Sequence, residues 1–196
     1  MSGKTFSSLR RLALVTLPLA ALAACATPTP YQPLGTRGTG ASGGFSEQRI
    51  TPNRFLVTFN GNSFTSRQRV ETYLLYRAAE LTVQQGFDSF TIVDKATDRN
   101  VETRVNTIPG PRYGFGGPYG WWRPSWRYYG GGFGWRSWDP WFGDPFWADN
   151  IDVSTVTRFE ANAEIVMRHG APGNDTRAFD AREVMANLGP TIEVPR

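Results

Sequence analysis

Alternating apolar and polar positions predict a strand early in the chain. Phe55, Val57 and Phe59 lie on one face of an extended segment over residues 54–59, and polar or smaller residues separate them. Residues 60–62 (Asn-Gly-Asn) follow directly and have the composition of a turn. The pattern therefore predicts a strand with one buried face that ends in a tight turn.

A helix is predicted next, because apolar residues then recur every three or four positions. Thr65 and Gln68 have the spacing of a capping box, and Gly86 suits the C-terminal end of the helix. The helical apolar positions are Val70, Tyr73, Leu74, Ala78 and Leu81. Two further apolar segments, residues 87–93 and residues 101–105, predict a second and a third strand.

The C-terminal part of the chain predicts one long strand and one short helix. Residues 152–168 alternate over much of their length, which exceeds the roughly 3–10 residues of a usual strand and predicts a bulge or bend. Asp180 and Glu183 have the spacing of an N-cap and its N3 partner, and residues 189–190 (Gly-Pro) suit the end of that helix. The order predicts an α+β fold: a small, mostly antiparallel sheet with a β-α-β-β start, a long strand after an insertion, and a short C-terminal helix.

The insertion, at about residues 109–147, differs in composition from the rest of the chain. It contains all seven tryptophans together with ten glycines and six prolines, which argues against a long helix or a regular central strand. Its aromatic rings and arginines suit three alternatives: a low-complexity loop that packs partly on its own sheet and is partly disordered, an interface with the membrane or envelope proteins, and a glycan-binding surface. The candidate binding residues are Trp121, Trp122, Trp126, Tyr128, Trp135, Trp138 and Trp141.

The N-terminus has the pattern of a secretory signal peptide over residues 1–24. Basic residues precede an apolar run from Leu12 to Leu22, which is too short to span a bilayer. The run closes on Leu-Ala-Ala-Cys, which resembles the bacterial lipoprotein signal and implies that the thiol of Cys25 is acylated and becomes the mature N-terminus. Because Cys25 is the only cysteine, lipidation also gives a role to a thiol without a disulfide partner. We therefore expect attachment to a membrane through this lipid.

Charge and composition after Cys25 narrow the class of protein further. Three of the 21 basic residues precede Cys25 and none of the 17 acidic residues does. The remaining chain therefore carries a net charge of only +1, and nucleic-acid binding loses its support.

Residues 25–44 are rich in Pro, Gly, Thr and Ser, and they predict a flexible tether to a single domain over 45–196. Ala26 stands where, in lipoprotein families, an aspartate commonly favours inner-membrane retention, so we expect the periplasmic face of the outer membrane.

Five strings of sequence outside the insertion are distinctive. They are residues 44–50 (GFSEQRI), 54–63 (RFLVTFNGNS), 73–82 (YLLYRAAELT), 178–184 (AFDAREV) and 187–190 (NLGP). Together with the lipoprotein signal, they resemble the uncharacterised alphaproteobacterial envelope lipoproteins. The resemblance implies a cell-envelope lipoprotein, and it supplies no activity, cofactor or catalytic residue to carry over.

Residues that could carry chemistry are few. His169 is the only histidine, and we expect a solvated turn residue there in preference to a zinc ligand or a catalytic base. Arg77 and Glu80 lie three apart on the predicted helix, which favours a structural ion pair. The sequence thus predicts no cofactor, no metal site and no enzyme. It indicates a lipid-anchored envelope protein with a structural or partner-binding role, the alternative being a glycan- or peptidoglycan-binding module that uses the insertion.

Overall fold

The computed structural model describes residues 27–38, 41–93, 119, 121–139, 156–175 and 177–195. Four features of the sequence analysis lie outside these residues: the signal peptide, Cys25, the predicted third strand over 101–105, and Trp141. The expectations for these four stay predictions. In chain order the elements are β1 (Gly44–Thr51), β2 (Arg54–Asn60), α1 (Arg67–Gln84), β3 (Ser89–Ile92), β4 (Ser125–Gly130), β5 (Gly134–Trp138), β6 (Val156–Arg168), β7 (Ala178–Asp180) and α2 (Ala181–Leu188), followed by a 3₁₀ turn over Gly189–Thr191.

The strands form one open antiparallel sheet of seven strands, and the predicted α+β class is confirmed. The main path through the sheet runs β1-β2-β6-β3-β7. β6 has β2 along one edge and divides its other edge between β4, near its start, and β3, near its end. β5 completes a hairpin with β4. The long strand and the short C-terminal helix of the sequence prediction are both present.

β6 is the central strand, 13 residues long, and buried side chains alternate with partly exposed ones from Phe159 to Met167. Every second side chain is buried on the face that α1 covers, where the hydrophobic core lies. These side chains are Phe159, Ala161, Ala163, Ile165 and Met167. The register between β4 and β6 shifts between Tyr129 and Gly130, which gives the irregularity expected of so long a strand.

α1 is confirmed, but its N-cap lies one residue beyond the predicted position. The hydroxyl of Ser66 accepts the N–H of Arg69 at 3.2 Å. Thr65 is buried, and its hydroxyl accepts the N–H of Thr29 and donates to the side chain of Asn62, both at 2.8 Å. The Thr65 hydroxyl is therefore occupied in the preceding turn, and Ser66 caps the helix instead.

α2 begins as predicted and ends differently. The carboxylate of Asp180 accepts the N–H of Glu183 at 2.9 Å, which confirms the N-cap. Gly189 has right-handed helical angles (φ −46°, ψ −46°), so the chain does not turn away there. It continues into the 3₁₀ turn, because Pro190 fits the first turn of a helix. The Gly-Pro pair thus extends the helical segment.

The predicted flexible tether is wrong for the part of it that the structure describes. Thr29, Tyr31 and Gln32 are buried, at 0%, 7% and 2% exposure. The N–H of Tyr31 donates to the carbonyl of Glu193 at 2.7 Å, and the N–H of Phe45 donates to the carbonyl of Gln32 at 2.8 Å. Pro, Gly, Thr and Ser dominate the composition of this segment, but three buried side chains are enough to fix it on the domain.

The prediction for the insertion is also wrong in part, because β4 is a regular strand paired on both sides. Trp126, Tyr128 and Gly130 are buried while Arg127 between them is exposed, which is strand alternation. Pro124 lies just before β4, so it does not interrupt the ladder. The high overall content of Gly and Pro conceals this short alternating segment.

Candidate functional site

The aromatic candidates from the sequence divide into a buried set and an exposed set. Trp122, Trp126 and Tyr128 are at most 6% exposed, and Trp138 is half-buried against the core. Trp121 and Trp135 are each 45% exposed. Trp141 lies outside the described residues. The structure therefore corrects the predicted binding set, because the three buried rings cannot stack on a ligand while the domain is folded.

The buried rings join the insertion to the core of the sheet. Trp126 pairs with Ala161 of β6, and its ring meets the ring of Phe159 edge-on, 6.3 Å away between centroids. Trp122 packs edge-on against Phe90 and Phe179, with centroids 6.1 and 5.9 Å away. Edge-to-face contacts of this kind add to the stability gained from burying the rings. These tryptophans are therefore structural.

The exposed set includes a compact surface on the β4–β5 hairpin, on the face opposite to Trp126 and Tyr128. We call the side chains of Arg127, Tyr129 and Trp135 the hairpin platform. Tyr129 and Trp135 are cross-strand partners with ring centroids 5.5 Å apart. The guanidinium carbon of Arg127 lies 4.9 Å from the Trp135 centroid, within range of a cation–π interaction. Arg127 also donates to the carboxylate of Glu160 at 3.3 Å, which fixes its position.

A glycine in the hairpin turn directs the chain into β5. Gly134 has φ +73°, a conformation that side-chain-bearing residues rarely adopt. It pairs with Gly130, and the N–H of Phe133 donates to the carbonyl of Gly130 at 3.2 Å to close the turn. Trp135 follows immediately and thus stands opposite Tyr129. The platform is held by backbone pairing, so its rings are ordered before any partner arrives.

A second polar surface is an open groove of about 640 Å³ between α1, β1 and the N-terminal segment, which we define as residues 27–38. Arg77 lies at its base, and its side chain is 8% exposed. Its two terminal nitrogens donate to Glu80 at 2.5 Å and to Glu47 at 3.0 Å. The guanidinium also lies 4.4 Å from the centroid of the Phe45 ring. The predicted Arg77–Glu80 pair is thus confirmed, and Glu47 is a partner that the sequence did not reveal.

Tyr31 completes this groove and connects the N-terminal segment to α1. Its hydroxyl donates to Glu80 at 2.5 Å. Burial, reinforced by the hydrogen bond to Glu80, raises the pKa of the Tyr31 hydroxyl well above its usual range. Burial lowers the pKa of Arg77, but the hydrogen bonds that Arg77 donates to Glu47 and Glu80 outweigh this effect. The pKa of the guanidinium is therefore raised. Both shifts hold Tyr31 neutral and Arg77 charged near neutral pH, so the cluster is suited to holding elements together.

Glu71 is a further buried acid, on α1. It is 5% exposed, and one of its oxygens accepts a hydrogen bond from Arg67 at 3.1 Å. Burial raises the pKa of the Glu71 carboxyl to about 7, and the charge of Arg67 opposes that rise only in part. A glutamate with this pKa changes its charge near neutral pH, which makes the stability of the domain dependent on pH.

His169 occupies the exposed bend after β6, where the sequence places it, and its ring lies 4.6 Å from the ring of Phe87. Across residues 27–93, 119–139 and 156–195, as far as they are described, no group of three His, Cys, Asp or Glu side chains is arranged to hold a metal ion. The Arg77 and Glu71 side chains are buried, whereas the hairpin platform presents an exposed tryptophan packed against a tyrosine and an arginine. The platform is therefore the candidate contact surface.

Comparison with known proteins gives no identity to this surface. No protein-family model matches the chain, and neither a curated protein nor a solved structure does. Within the described ranges, no helix has the length and apolar character needed to span a membrane.

Proposed function

We propose that this chain is a lipid-anchored protein of the cell envelope with a non-enzymatic, partner-binding role, and that the hairpin platform is its contact surface. The lipoprotein signal ending at Cys25 supports the anchor, and Ala26 after it favours the periplasmic face of the outer membrane. The platform supports the binding role. The resemblance of the five distinctive strings to envelope lipoproteins agrees with this location.

One observation carries the binding role: an exposed tryptophan is fixed between a tyrosine and an arginine on a rigid hairpin. Trp135 is 45% exposed, although its neighbours Trp122 and Trp126 on the same insertion are fully covered. Trp, Tyr and Arg are the residues most enriched where protein interfaces gain their affinity. Ordering of the rings by β4–β5 pairing lowers the entropy lost on binding. The platform therefore has the composition and the rigidity of a protein contact surface.

Trp135→Ala is expected to weaken capture of the partner about 30-fold, because truncating a central interface tryptophan costs about 2 kcal/mol of binding free energy. The measurement is an affinity pull-down from cross-linked membranes, quantified for the wild-type and variant proteins. Trp121→Ala is the matched control, since Trp121 has the same exposed fraction but lies before the hairpin. Equal loss of partners in both variants, or in neither, would contradict a role for the platform.

A glycan is the second candidate partner, and a specific feature of the platform favours it. An exposed indole can stack on the apolar face of a sugar ring, while the guanidinium of Arg127 and the carboxylate of Glu160 stand beside it to bind hydroxyl groups. Co-sedimentation with purified sacculi separates the two candidates. Retention that falls in Trp135→Ala and persists in Trp121→Ala supports the glycan, and absence of retention in the wild-type protein removes it.

The anchor has its own test. Cys25→Ser removes the thiol that would be acylated, so we expect unprocessed precursor or protein in the soluble fraction, where the wild-type protein sediments with membranes. Membrane fractionation with immunodetection measures the difference. Normal signal cleavage and unchanged membrane association of the variant would refute lipidation at Cys25.

A further inference from the structure

β1 is an edge strand, and within the described part of the chain its outer side is unpaired over most of its length. β2 pairs with its inner side from Gly44 to Arg49 and again at Thr51, with a register shift between Arg49 and Thr51. On the outer side, the N-terminal segment reaches only the start of the strand, where Pro33 forms a single bridge with Phe45. Among the residues that the structure describes, none pairs with the outer side of β1 after Phe45. Open edges of this kind are templates for pairing with another strand.

The direction of the backbone groups on this edge follows from Phe45. Its N–H donates outward to Gln32 and its carbonyl accepts from Leu34, at 2.8 and 2.7 Å. Backbone direction alternates along a strand, so the N–H and C=O groups of Glu47 and Arg49 also point outward. Two residues thus offer four hydrogen-bonding groups at the open edge.

The side chains of these two residues have opposite charges and lie on the same face as α1. Glu47 pairs with Val57 and reaches Arg77, while Arg49 pairs with Phe55 and lies over its ring, 5.6 Å from the centroid. In an antiparallel pairing of β1 with a second β1, Glu47 of each copy can stand opposite Arg49 of the other. Shifting this register by two residues in either direction would place Glu47 against Glu47 or Arg49 against Arg49, and like charges directly opposite are destabilising.

We propose that β1 pairs antiparallel with β1 of a second copy, in the register that places Glu47 opposite Arg49 and Gln48 on the two-fold axis opposite itself. Both Glu47–Arg49 pairs would then be of the hydrogen-bonded kind, and the sheet would continue across the dimer. This register also covers exposed apolar side chains. Ile50, 48% exposed, would face Ser46 of the other copy, next to Phe45, whose carbonyl accepts the N–H of the 51% exposed Leu34.

Charge reversal tests this register in a way that folding defects cannot imitate. Arg49→Glu gives an edge with two acidic residues and Glu47→Arg gives one with two basic residues, so each variant alone should dimerise about tenfold more weakly than the wild-type protein. Mixing the two variants restores opposite charges at both positions and should recover dimerisation. Analytical ultracentrifugation measures all four samples, and circular dichroism confirms that each variant is folded. A monomeric wild-type protein, or a mixture no more dimeric than its components, would overturn the proposal.

A cysteine placed on the axis gives an independent measurement. In the full chain carrying Cys25→Ser, Gln48→Cys would introduce the single thiol of the protein, directly opposite its own copy. Non-hydrogen-bonded antiparallel pairs have Cα atoms about 4.5 Å apart, which allows a disulfide. Ile50→Cys is the control, because residue 50 faces residue 46 in this register. Mild oxidation should link the Gln48→Cys protein at least about tenfold faster than the control. Equal rates would contradict the register.

Discussion

Trp122→Ala is expected to lower the free energy of unfolding by about 3–5 kcal/mol, which is the usual cost of replacing a buried tryptophan by alanine. Trp122 is fully buried, and its ring contacts Phe90 of β3 and Phe179 of β7 edge-on. Its removal would leave a cavity beneath two strands that come from distant parts of the chain. Urea denaturation followed by circular dichroism measures the loss.

The adjacent residue supplies the control for this prediction. Trp121 is 45% exposed, so Trp121→Ala should change the free energy of unfolding by no more than about 0.5 kcal/mol. The indole N–H of Trp122 has no acceptor among the described residues. Trp122→Phe would remove that unsatisfied donor while keeping a ring, and we expect it to cost less than Trp122→Ala. Similar losses in Trp121→Ala and Trp122→Ala would contradict the placement of Trp122 in the core.

Glu71→Gln is expected to stabilise the domain by up to about 3 kcal/mol above pH 7 and to have little effect below pH 4.5. The ordinary pKa of a glutamate is 4.5, and burial raises that of Glu71 to about 7. Between these values the folded state holds a proton that the unfolded state has released, so the free energy of unfolding of the wild-type protein falls as pH rises. The gap in pKa corresponds to about 3 kcal/mol, and glutamine avoids the loss because it carries no charge.

The measurement is the free energy of unfolding of the wild-type and Glu71→Gln proteins at several pH values. Asp88→Asn is a control with the opposite sign. The N–H of Gly170 and the side chain of Arg182 hold the pKa of the Asp88 carboxyl below its usual value, so its stabilising contribution is lost as pH falls. A difference between the wild-type and Glu71→Gln proteins that does not grow from about pH 4.5 to 7 would contradict a buried, protonated Glu71.

Local periodicity was sufficient to predict the elements whose buried residues lie close together in sequence. The alternation along β6, the helical spacing in α1 and the Asp180 cap each depend on neighbours within a few residues. β1 was not predicted, because most of its side chains are exposed and no apolar period marks an edge strand. The Arg77–Glu80 pair was predictable from its spacing of three residues, as i,i+3 partners on a helix face one another.

The contacts that position the candidate surfaces were not predictable, because they join distant parts of the chain. Glu47 reaches Arg77 across 30 residues, and Tyr31 reaches Glu80 across 49. The platform depends on β4 lying beside β6, which places one tryptophan of the insertion in the core and another in solvent. Composition alone treats those tryptophans as equivalent. Sheet pairing distinguishes Trp126 from Trp135.

The fixed N-terminal segment sets how far the domain can move from its proposed lipid. Thr29 is buried, with its N–H bound to Thr65 and its hydroxyl bound to Asn62 and Ser42. Four residues lead from Cys25 to Thr29, and even a fully extended chain of that length spans at most about 14 Å. That reach is close to the domain's own radius of gyration, which is about 15 Å for roughly 150 residues. An acylated Cys25 would therefore confine the domain to a single layer at the bilayer surface and restrict its rotation, within reach of partners embedded in that surface or lying on it.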